Sequence, residues 1–155
     1  MGYHLLVIGE GPMRAQLERQ VRDARLEEHV TLSSYRQDWW GLLKVAAGVI
    51  SASRYEGQPN VVLETIAAGC PLIVSDIPEH REFLDEQCAL WVPPENPTEL
   101  AAAVAGLLAD PESARERADR AVQRIAGLTV EASATAYDSI YQQLLAGRMP
   151  KCVES

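Results

Sequence analysis

The chain has 155 residues, of which 47% are hydrophobic and 23% charged, with a formal net charge of −8. These values predict one soluble domain at 1–147 with a tail at 148–155, and they exclude a broad nucleic-acid surface, which needs clustered Lys and Arg. No apolar run reaches the roughly 20 residues of a membrane span. Three cysteines without metal-ligand spacing, and no signal peptide, predict a cytoplasmic protein with reduced thiols.

Short apolar runs alternate with segments of helical period along most of the chain. The runs predict five strands, at 3–8, 30–33, 48–51, 71–74 and 89–92. Helices are predicted between them, including one that starts with Pro12 at its first position. Short strands separated by helices favour a parallel sheet that is covered on both faces.

Three further helices are predicted after the fifth strand. The first opens with the capping residue Asn96, a first-turn Pro97 and a carboxylate at Glu99. The second starts at Asp110, with small and apolar residues inward: Ala114, Ala118, Ala121 and Ile125. The third has an apolar stripe: Val130, Ala134, Tyr137, Tyr141 and Leu144. The predicted fold class is therefore α/β, a Rossmann-like doubly wound parallel sheet of about five strands with a helical C-terminus.

Loops at the carboxyl ends of the strands are the expected ligand-binding positions in an open α/β sheet. Gly9 and Gly11 follow the first strand and allow close approach of a ligand, although such turns also use glycine for conformational reasons alone. His80 follows the fourth strand. It is a candidate acid–base group, but a solvated surface histidine is the favoured alternative.

The loop after the third strand is the most suggestive of the three. Pro59 forces the residue before it out of helical conformation, and Asn60 is a good N-cap, so residues 57–62 should present free N–H groups to a phosphate. Glu64, one turn inside the helix, is suited to accept two hydrogen bonds from a ribose diol. A helix-dipole role for Glu64 and a solvated loop position for Glu56 are the open alternatives.

Three motifs follow one another in a specific order along the chain. They are LLVIGEGP at 5–12, SASRYEGQPNVVLE at 51–64 and AAGCPLIVSD at 67–76. In this order, with two glutamates eight residues apart, the chain resembles the family 4 retaining glycosyltransferases. It is similar to the C-terminal domain of their GT-B fold over nearly its whole length.

The resemblance implies a donor site for a nucleotide-diphosphate sugar in a hexosyltransferase that retains the anomeric configuration. Glu56 would lie near the transferred sugar as the catalytic residue, and Glu64 would bind the ribose hydroxyls. The remaining implied donor-binding residues are Gly57, Gln58, Pro59, Asn60, Val61, Gly9, Gly11, Tyr35 and Arg36. Tyr35 is equally open to a packing role. The family needs no bound metal, and no cofactor is expected.

The chain departs from the family pattern in several places. Ser34 stands where the family usually has glycine, and Thr65 and Ile66 replace its usual Ala-Met. The family also places a strand, a helix, an Arg/Lys pair and a whole acceptor-binding domain before the segment that matches 3–12. We therefore expect this chain alone to be inactive, and any peripheral membrane contact to come only from that missing N-terminal domain. The sequence is compatible with an oligomer of this chain.

Two other functions stay open on the sequence. One is a non-catalytic module that keeps a sugar-nucleotide or partner surface. The other is a sugar-nucleotide epimerase, which shares the architecture but not this glutamate spacing. For a donor site, the nearby cations are Arg36, Arg54 and Arg81, and we expect nucleoside diphosphates to bind with dissociation constants on the order of a millimolar.

The first strand of the family sheet has no match in this sequence, and its absence leads to a prediction of the strand order. That strand is central in the family order 3-2-1-4-5-6, and each buried N–H or C=O left unpaired costs about 1–3 kcal/mol. We expect the gap to close, with 3–8 pairing directly with 48–51 to give the order 2-1-3-4-5. The alternative is a neighbouring chain that supplies the pairing.

Overall fold

A computed structural model describes residues 2–147, and the tail predicted at 148–155 lies outside these residues. The chain divides into two compact units, one up to Leu42 and one from Leu43 onward. No helix within 2–147 combines the length and the apolar character that a membrane crossing requires.

The first unit is a two-stranded parallel sheet with one long helix. Its elements are β1 (Leu5–Ile8), α1 (Arg14–Asp23) and β2 (Val30–Ser33), and α2 (Trp40–Leu43) lies at the boundary between the units. β1 lies in register with β2, with Leu5 opposite Val30. The prediction that α1 starts at Pro12 is wrong, because Arg14 N–H first closes a turn onto Gly11 O at 3.1 Å.

The second unit holds a three-stranded parallel sheet and most of the helices. Its elements in chain order are β3 (Val49–Ser51), α3 (Asn60–Ala67), β4 (Leu72–Ser75), α4 (Pro78–Arg81), β5 (Leu90–Val92), α5 (Pro97–Ala109), α6 (Pro111–Ile125) and α7 (Val130–Leu145). β4 is central and pairs with β3 and β5. All five predicted strands are present, each within two residues of its predicted bounds.

The single sheet with order 2-1-3-4-5 does not form. Within residues 2–147 the strands make two sheets, β1-β2 and β3-β4-β5, and β1 does not pair with β3. The predicted closure is therefore wrong. The closure argument assumed that β1 is buried, whereas Leu5, Leu6 and Val7 are 38–47% exposed, and backbone groups that reach water need no strand partner.

The core of the second unit lies on both faces of its sheet. Leu72 and Val74 of β4 pack in one cluster with α3, whereas Ile73 packs in another with Leu107 of α5. This alternation follows from the twofold repeat of a strand, and it places α3 and α5 on opposite faces. The helix α6 contributes to both clusters, through the alanines on its predicted inward face: Ala114 and Ala121.

The helix ends follow local sequence rules. Asn96 caps α5 by accepting Glu99 N–H at 3.1 Å, as predicted. α3 ends in a Schellman motif, in which Gly69 has φ +67° and Cys70 N–H reaches back to Thr65 O. α7 forms where predicted, but no residue of it is buried, and its stripe is exposed.

Candidate functional site

The turn from β3 into α3 carries the strongest predicted site, and packing fixes its orientation. Val62, Thr65 and Ile66 of α3 are at most 1% exposed, and the two apolar ones pack against β4. The N-terminal turn of α3 therefore points its other side outward, where Val61 is 52% exposed. Glu64, one turn further on, is half-buried.

The N-terminus of α3 differs from the prediction in one detail. Asn60 is not the N-cap: Pro59 takes that position with ψ 66°, and Asn60 N–H bonds Gln58 O at 2.8 Å. Because Gln58 and Pro59 already turn the chain, the amide side chain of Asn60 caps nothing. Among residues 2–147, the N–H groups of Val61 and Val62 have no hydrogen-bond acceptor. The turn therefore has two of the predicted free N–H donors.

Gly57 lies in the same turn and has open space where a side chain would be. A Cβ built on Gly57 meets no heavy atom within 4 Å, and its φ is not in the left-handed region. Neither backbone strain nor internal packing thus requires glycine at this position. Position 57 is therefore open to solvent.

Glu56 is held in place by its own loop. Ser53 Oγ donates to Glu56 Oε1 at 2.6 Å, a length typical of a hydroxyl bonded to a carboxylate, and the Glu56 side chain is half-buried. Glu56 is therefore not simply the solvated loop charge that was the open alternative. Within residues 2–147, neither Glu56 nor Glu64 forms an ion pair.

Ser53 is in turn fixed by β4. Ser75, the last residue of β4, is 1% exposed, and its Oγ donates to Ser53 O at 2.5 Å. A longer contact of 3.3 Å joins the same hydroxyl to Ser51 O. Sequence reasoning missed Ser75, because its bonds join residues more than 20 positions apart. It missed Ser53, three positions before Glu56, because serine near a strand end carries no distinctive local pattern.

His80 is fully buried rather than solvated, so the favoured surface alternative is wrong. The short helix α4 turns its side chain inward, where Nδ1 lies 2.8 Å from Ser75 O. Since a carbonyl oxygen only accepts, Nδ1 carries the proton and donates. The other ring nitrogen, Nε2, is buried and has no partner among the described residues.

Each predicted cation is already paired with a carboxylate. Arg54 contacts Glu95 at 2.5 Å, and Arg36 contacts Asp38 at 2.8 Å. The hydrogen bond and charge of Arg36 lower the pKa of Asp38, and those of Asp38 raise the pKa of Arg36. Among residues 2–147, each of these two guanidinium groups is therefore balanced by a carboxylate.

Arg81 is the most heavily engaged of the three. It forms ion pairs with Asp76, at 2.7 Å, and with Glu86, and its guanidinium lies 3.7 Å from the ring centre of Trp91. Its hydrogen bonds lower the pKa of both carboxyl groups and raise the pKa of Arg81 itself. Arg81 thus ties α4 to its neighbouring strand and loop.

The first unit brings together the other predicted site residues at the carboxyl edge of its own sheet. Gly9 N–H donates to Ser33 O at 3.0 Å, so the turns after β1 and β2 are adjacent. Gly9 has φ +146°, a conformation that glycine alone adopts readily. Gly11 has open space above it, and Tyr35 is 70% exposed, which leaves little of its ring for packing within the chain.

A family model described as glycosyl transferases group 1 matches residues 2–110. The chain belongs to the glycosyl transferases group 1. Among the curated relatives of this glycosyl transferase chain, alpha-D-kanosaminyltransferase of Streptomyces kanamyceticus is 29% identical over 119 residues, which are 75% of this chain and 31% of that protein. A glycogen synthase of Mycobacterium tuberculosis is 33% identical over 127 residues, 80% of this chain and 31% of that protein. The chain thus spans about a third of the length of these relatives.

Solved structures of other proteins have the same fold as this group 1 glycosyl transferase chain. Sucrose-phosphate synthase from Thermosynechococcus elongatus superposes with a TM-score of 0.82 at 28% identity, over 93% of this chain and 39% of that one. Anabaena HepE in complex with UDP superposes at 0.78 and 19% identity, over 93% of this chain and 41% of that one. The second likeness shows the fold alone. The GT-B fold expected from the motifs is supported by these neighbours.

Proposed function

We propose that this chain is the donor-binding, C-terminal part of a family 4 retaining glycosyltransferase, which transfers a hexosyl group from a nucleotide-diphosphate sugar. The observation that carries the proposal is the N-terminus of α3. There, the N–H groups of Val61 and Val62, which have no acceptor within the described part of the chain, follow the open space at Gly57. An α-helix N-terminus carries about half a positive charge, which suits a phosphate group.

The carboxylates on either side of this N-terminus have separate roles in the proposal. Glu56 lies near the transferred sugar as the catalytic residue, and Glu64 accepts hydrogen bonds from the ribose hydroxyls. The half-buried positions of both support these roles, because a partly desolvated carboxylate binds hydroxyl groups more strongly than a solvated one. Residues 57–61 cradle the sugar and the diphosphate through their backbone.

For the first unit, taken by itself, the proposal keeps the donor-binding roles that the family resemblance implies. Gly9 and Gly11 allow the donor to approach the backbone, and Tyr35 and Arg36 line the base. The adjacency of the two turns, through the bond from Gly9 N–H to Ser33 O, supports this grouping. For Arg36 to reach the nucleotide, its contact with Asp38 has to open.

The whole enzyme includes an acceptor-binding domain that this chain does not supply. That domain positions the acceptor nucleophile and provides any peripheral membrane contact, and the reaction proceeds in the cytoplasm without a bound metal. Since transfer requires both substrates to be held in place, the 155-residue chain alone should not transfer sugar. Turnover of any sugar nucleotide by the pure chain, above background hydrolysis, would contradict this part of the proposal.

Binding to the isolated chain tests the donor site directly. We expect UDP, GDP and ADP, titrated separately and followed by NMR, to shift the amide signals of Val61 and Val62, with at least one dissociation constant on the order of a millimolar. UDP is a natural first probe because the related fold of HepE holds it.

The variant Gly57→Ala fills the open space and should abolish these shifts without changing the fold. Gly127→Ala is the matched control, since a Cβ there also meets no heavy atom within 4 Å, in the turn between α6 and α7. Unchanged nucleotide binding by Gly57→Ala, or amide shifts confined to other helices, would count against this donor site.

A further inference from the structure

A path of hydrogen bonds runs from a buried histidine to the candidate catalytic carboxylate. His80 Nδ1–H donates to Ser75 O at 2.8 Å, and Ser75 Oγ–H donates to Ser53 O at 2.5 Å. Ser53 Oγ–H then donates to Glu56 Oε1 at 2.6 Å. All four residues lie in the second unit, and the path joins the loop after β4 to the loop after β3.

Each step restricts the next one. The bond from His80 fixes the last peptide of β4, and with it the backbone that carries the Ser75 side chain. The Ser75 hydroxyl fixes the peptide of Ser53 in a loop that otherwise lies outside any strand or helix. The orientation of Ser53 decides where its hydroxyl is, and that hydroxyl holds one oxygen of Glu56. For the other oxygen, Oε2, no hydrogen-bond donor is found among residues 2–147.

Space filling does not account for a histidine at position 80. The ring is 0% exposed, yet its Nε2 has no hydrogen-bond partner among residues 2–147. A buried polar atom without a partner costs about 1–3 kcal/mol, and a leucine of similar size would avoid that cost. The bond from Nδ1 to Ser75 O is the interaction that a leucine could not supply.

We propose that His80, Ser75 and Ser53 are positioning residues that hold the Glu56 carboxylate toward the transferred sugar of the donor. This proposal deepens the proposed function and rests on it for the identity of the ligand. None of the three residues needs to touch the donor. Loss of the path should therefore weaken the contacts that depend on the sugar, and leave the contacts to the nucleotide unchanged.

Two pairs of variants separate positioning from folding. His80→Leu removes the donor to Ser75 O, whereas His80→Asn keeps a side-chain N–H at the position of Nδ1. Ser53→Ala removes the hydroxyl on Glu56, whereas Ser53→Thr keeps it. Ser53 is only half-buried, so the second pair is informative even if His80→Leu does not fold.

The first measurement needs no ligand. In the 155-residue chain, the carboxyl ¹³C signal of Glu56 and the amide hydrogen exchange of 53–57 report the state of the loop. We expect His80→Leu and Ser53→Ala to shift the Glu56 signal and speed exchange in this loop but not in α5, while the Asn and Thr variants match the wild type. Two results would contradict the role of the path in holding Glu56. One is an unshifted Glu56 signal in both disruptive variants, and the other is the same signal and exchange rate for both members of each pair.

The second measurement compares UDP with UDP-glucose for each variant. We expect the disruptive variants to lose about two- to tenfold in UDP-glucose affinity, the equivalent of one hydrogen bond, with UDP affinity unchanged. Equal losses for both probes, or no loss for either, would overturn the positioning role. If the wild-type chain binds neither probe nor any other nucleotide, the proposed function fails, whereas the ligand-free measurement still decides whether the path holds Glu56.

Discussion

Arg54 Nη2 lies 2.5 Å from Glu95 Oε1, and this ion pair joins the loop after β3 to the loop after β5. Glu95 holds its position with φ +60°, a left-handed conformation that costs a non-glycine residue energy. Both side chains are largely exposed. The cation closest in sequence to the proposed catalytic loop is thus already paired with an anion that a diphosphate would have to replace.

We expect Glu95→Gln to strengthen nucleoside diphosphate binding, because it frees Arg54. An exposed ion pair is worth about 0–1 kcal/mol, so the gain should be at most about fivefold, and it should shrink at high salt. Isothermal titration calorimetry measures this gain in affinity, with the nucleotide that shifts the amide signals of Val61 and Val62. Glu112→Gln, which makes the same charge change at an exposed position of α6, is the control and should leave affinity unchanged.

Replacement of Glu56 and of Glu64 should have different kinetic effects in an enzyme that carries this chain together with its acceptor domain. Glu64→Ala should mainly raise KM for the donor, since the ribose contact is made equally in ground and transition states. Glu56→Ala should mainly lower kcat. Steady-state kinetics with varied donor separate the two, and the reverse pattern would exchange the proposed roles.

Two glycine substitutions should change stability in opposite directions. Gly69→Ala forces a Cβ into a left-handed conformation at the end of α3 and should cost about 1–2 kcal/mol. Gly106→Ala, inside α5 and with no heavy atom within 4 Å of the added Cβ, should stabilise by up to about 1 kcal/mol. Urea unfolding measures both, and a neutral or stabilising effect of Gly69→Ala would contradict the left-handed conformation of Gly69.

The charge cluster around Arg81 should make stability depend on pH. Arg81 lowers the pKa of Asp76 and of Glu86, chiefly by hydrogen bonding, so its stabilising effect is full above the ordinary carboxyl values of about 4 and is lost as pH falls through the lowered folded values. Arg81→Met should therefore be less stable than the wild type near pH 7, with a difference that narrows below about pH 4. Arg115→Met, at an exposed position of α6, is the control for loss of a charge.

The cysteines Cys70 and Cys88 should react slowly while the protein is folded. Both are 3% exposed, and burial is the main factor that raises the pKa of each thiol. Because the thiolate is the nucleophile, we expect iodoacetamide at pH 8 to label the two peptides at least about tenfold more slowly in native than in urea-unfolded protein. Mass spectrometry gives the two rates, and equal rates would mean that the thiols are accessible.

Local features of the fold were predictable from the sequence because neighbouring residues determine them. β2 has the predicted bounds, and the Asn96 cap forms as the Asn-Pro-Thr-Glu pattern indicates. The free donors at the start of α3 follow from the bend at Pro59, which is equally local. The Asn60 cap failed only by one position, within the usual uncertainty of helix ends.

Long-range features were not predictable in the same way. The pairing of β1 depends on whether the edge of this strand is buried. Burial of a strand edge is decided by tertiary packing, which no local sequence pattern shows. His80 is buried because α4 packs its inner side against the end of β4, which no periodicity over four residues can indicate. The partner of Arg54 is Glu95, in the loop after β5, so nothing near Arg54 in the sequence indicates that its charge is already paired.

The two clusters of the second unit meet in α6, which provides Ala121 to one and Ala114 to the other. The matched family segment ends at residue 110, immediately before α6 begins at Pro111. The segment that the family model matches is therefore one helix shorter than the segment that completes the core packing. A piece excised for expression or transplanted into another protein should keep residues to at least Ile125, because a cut at 110 would open apolar surface on both faces of the sheet at once.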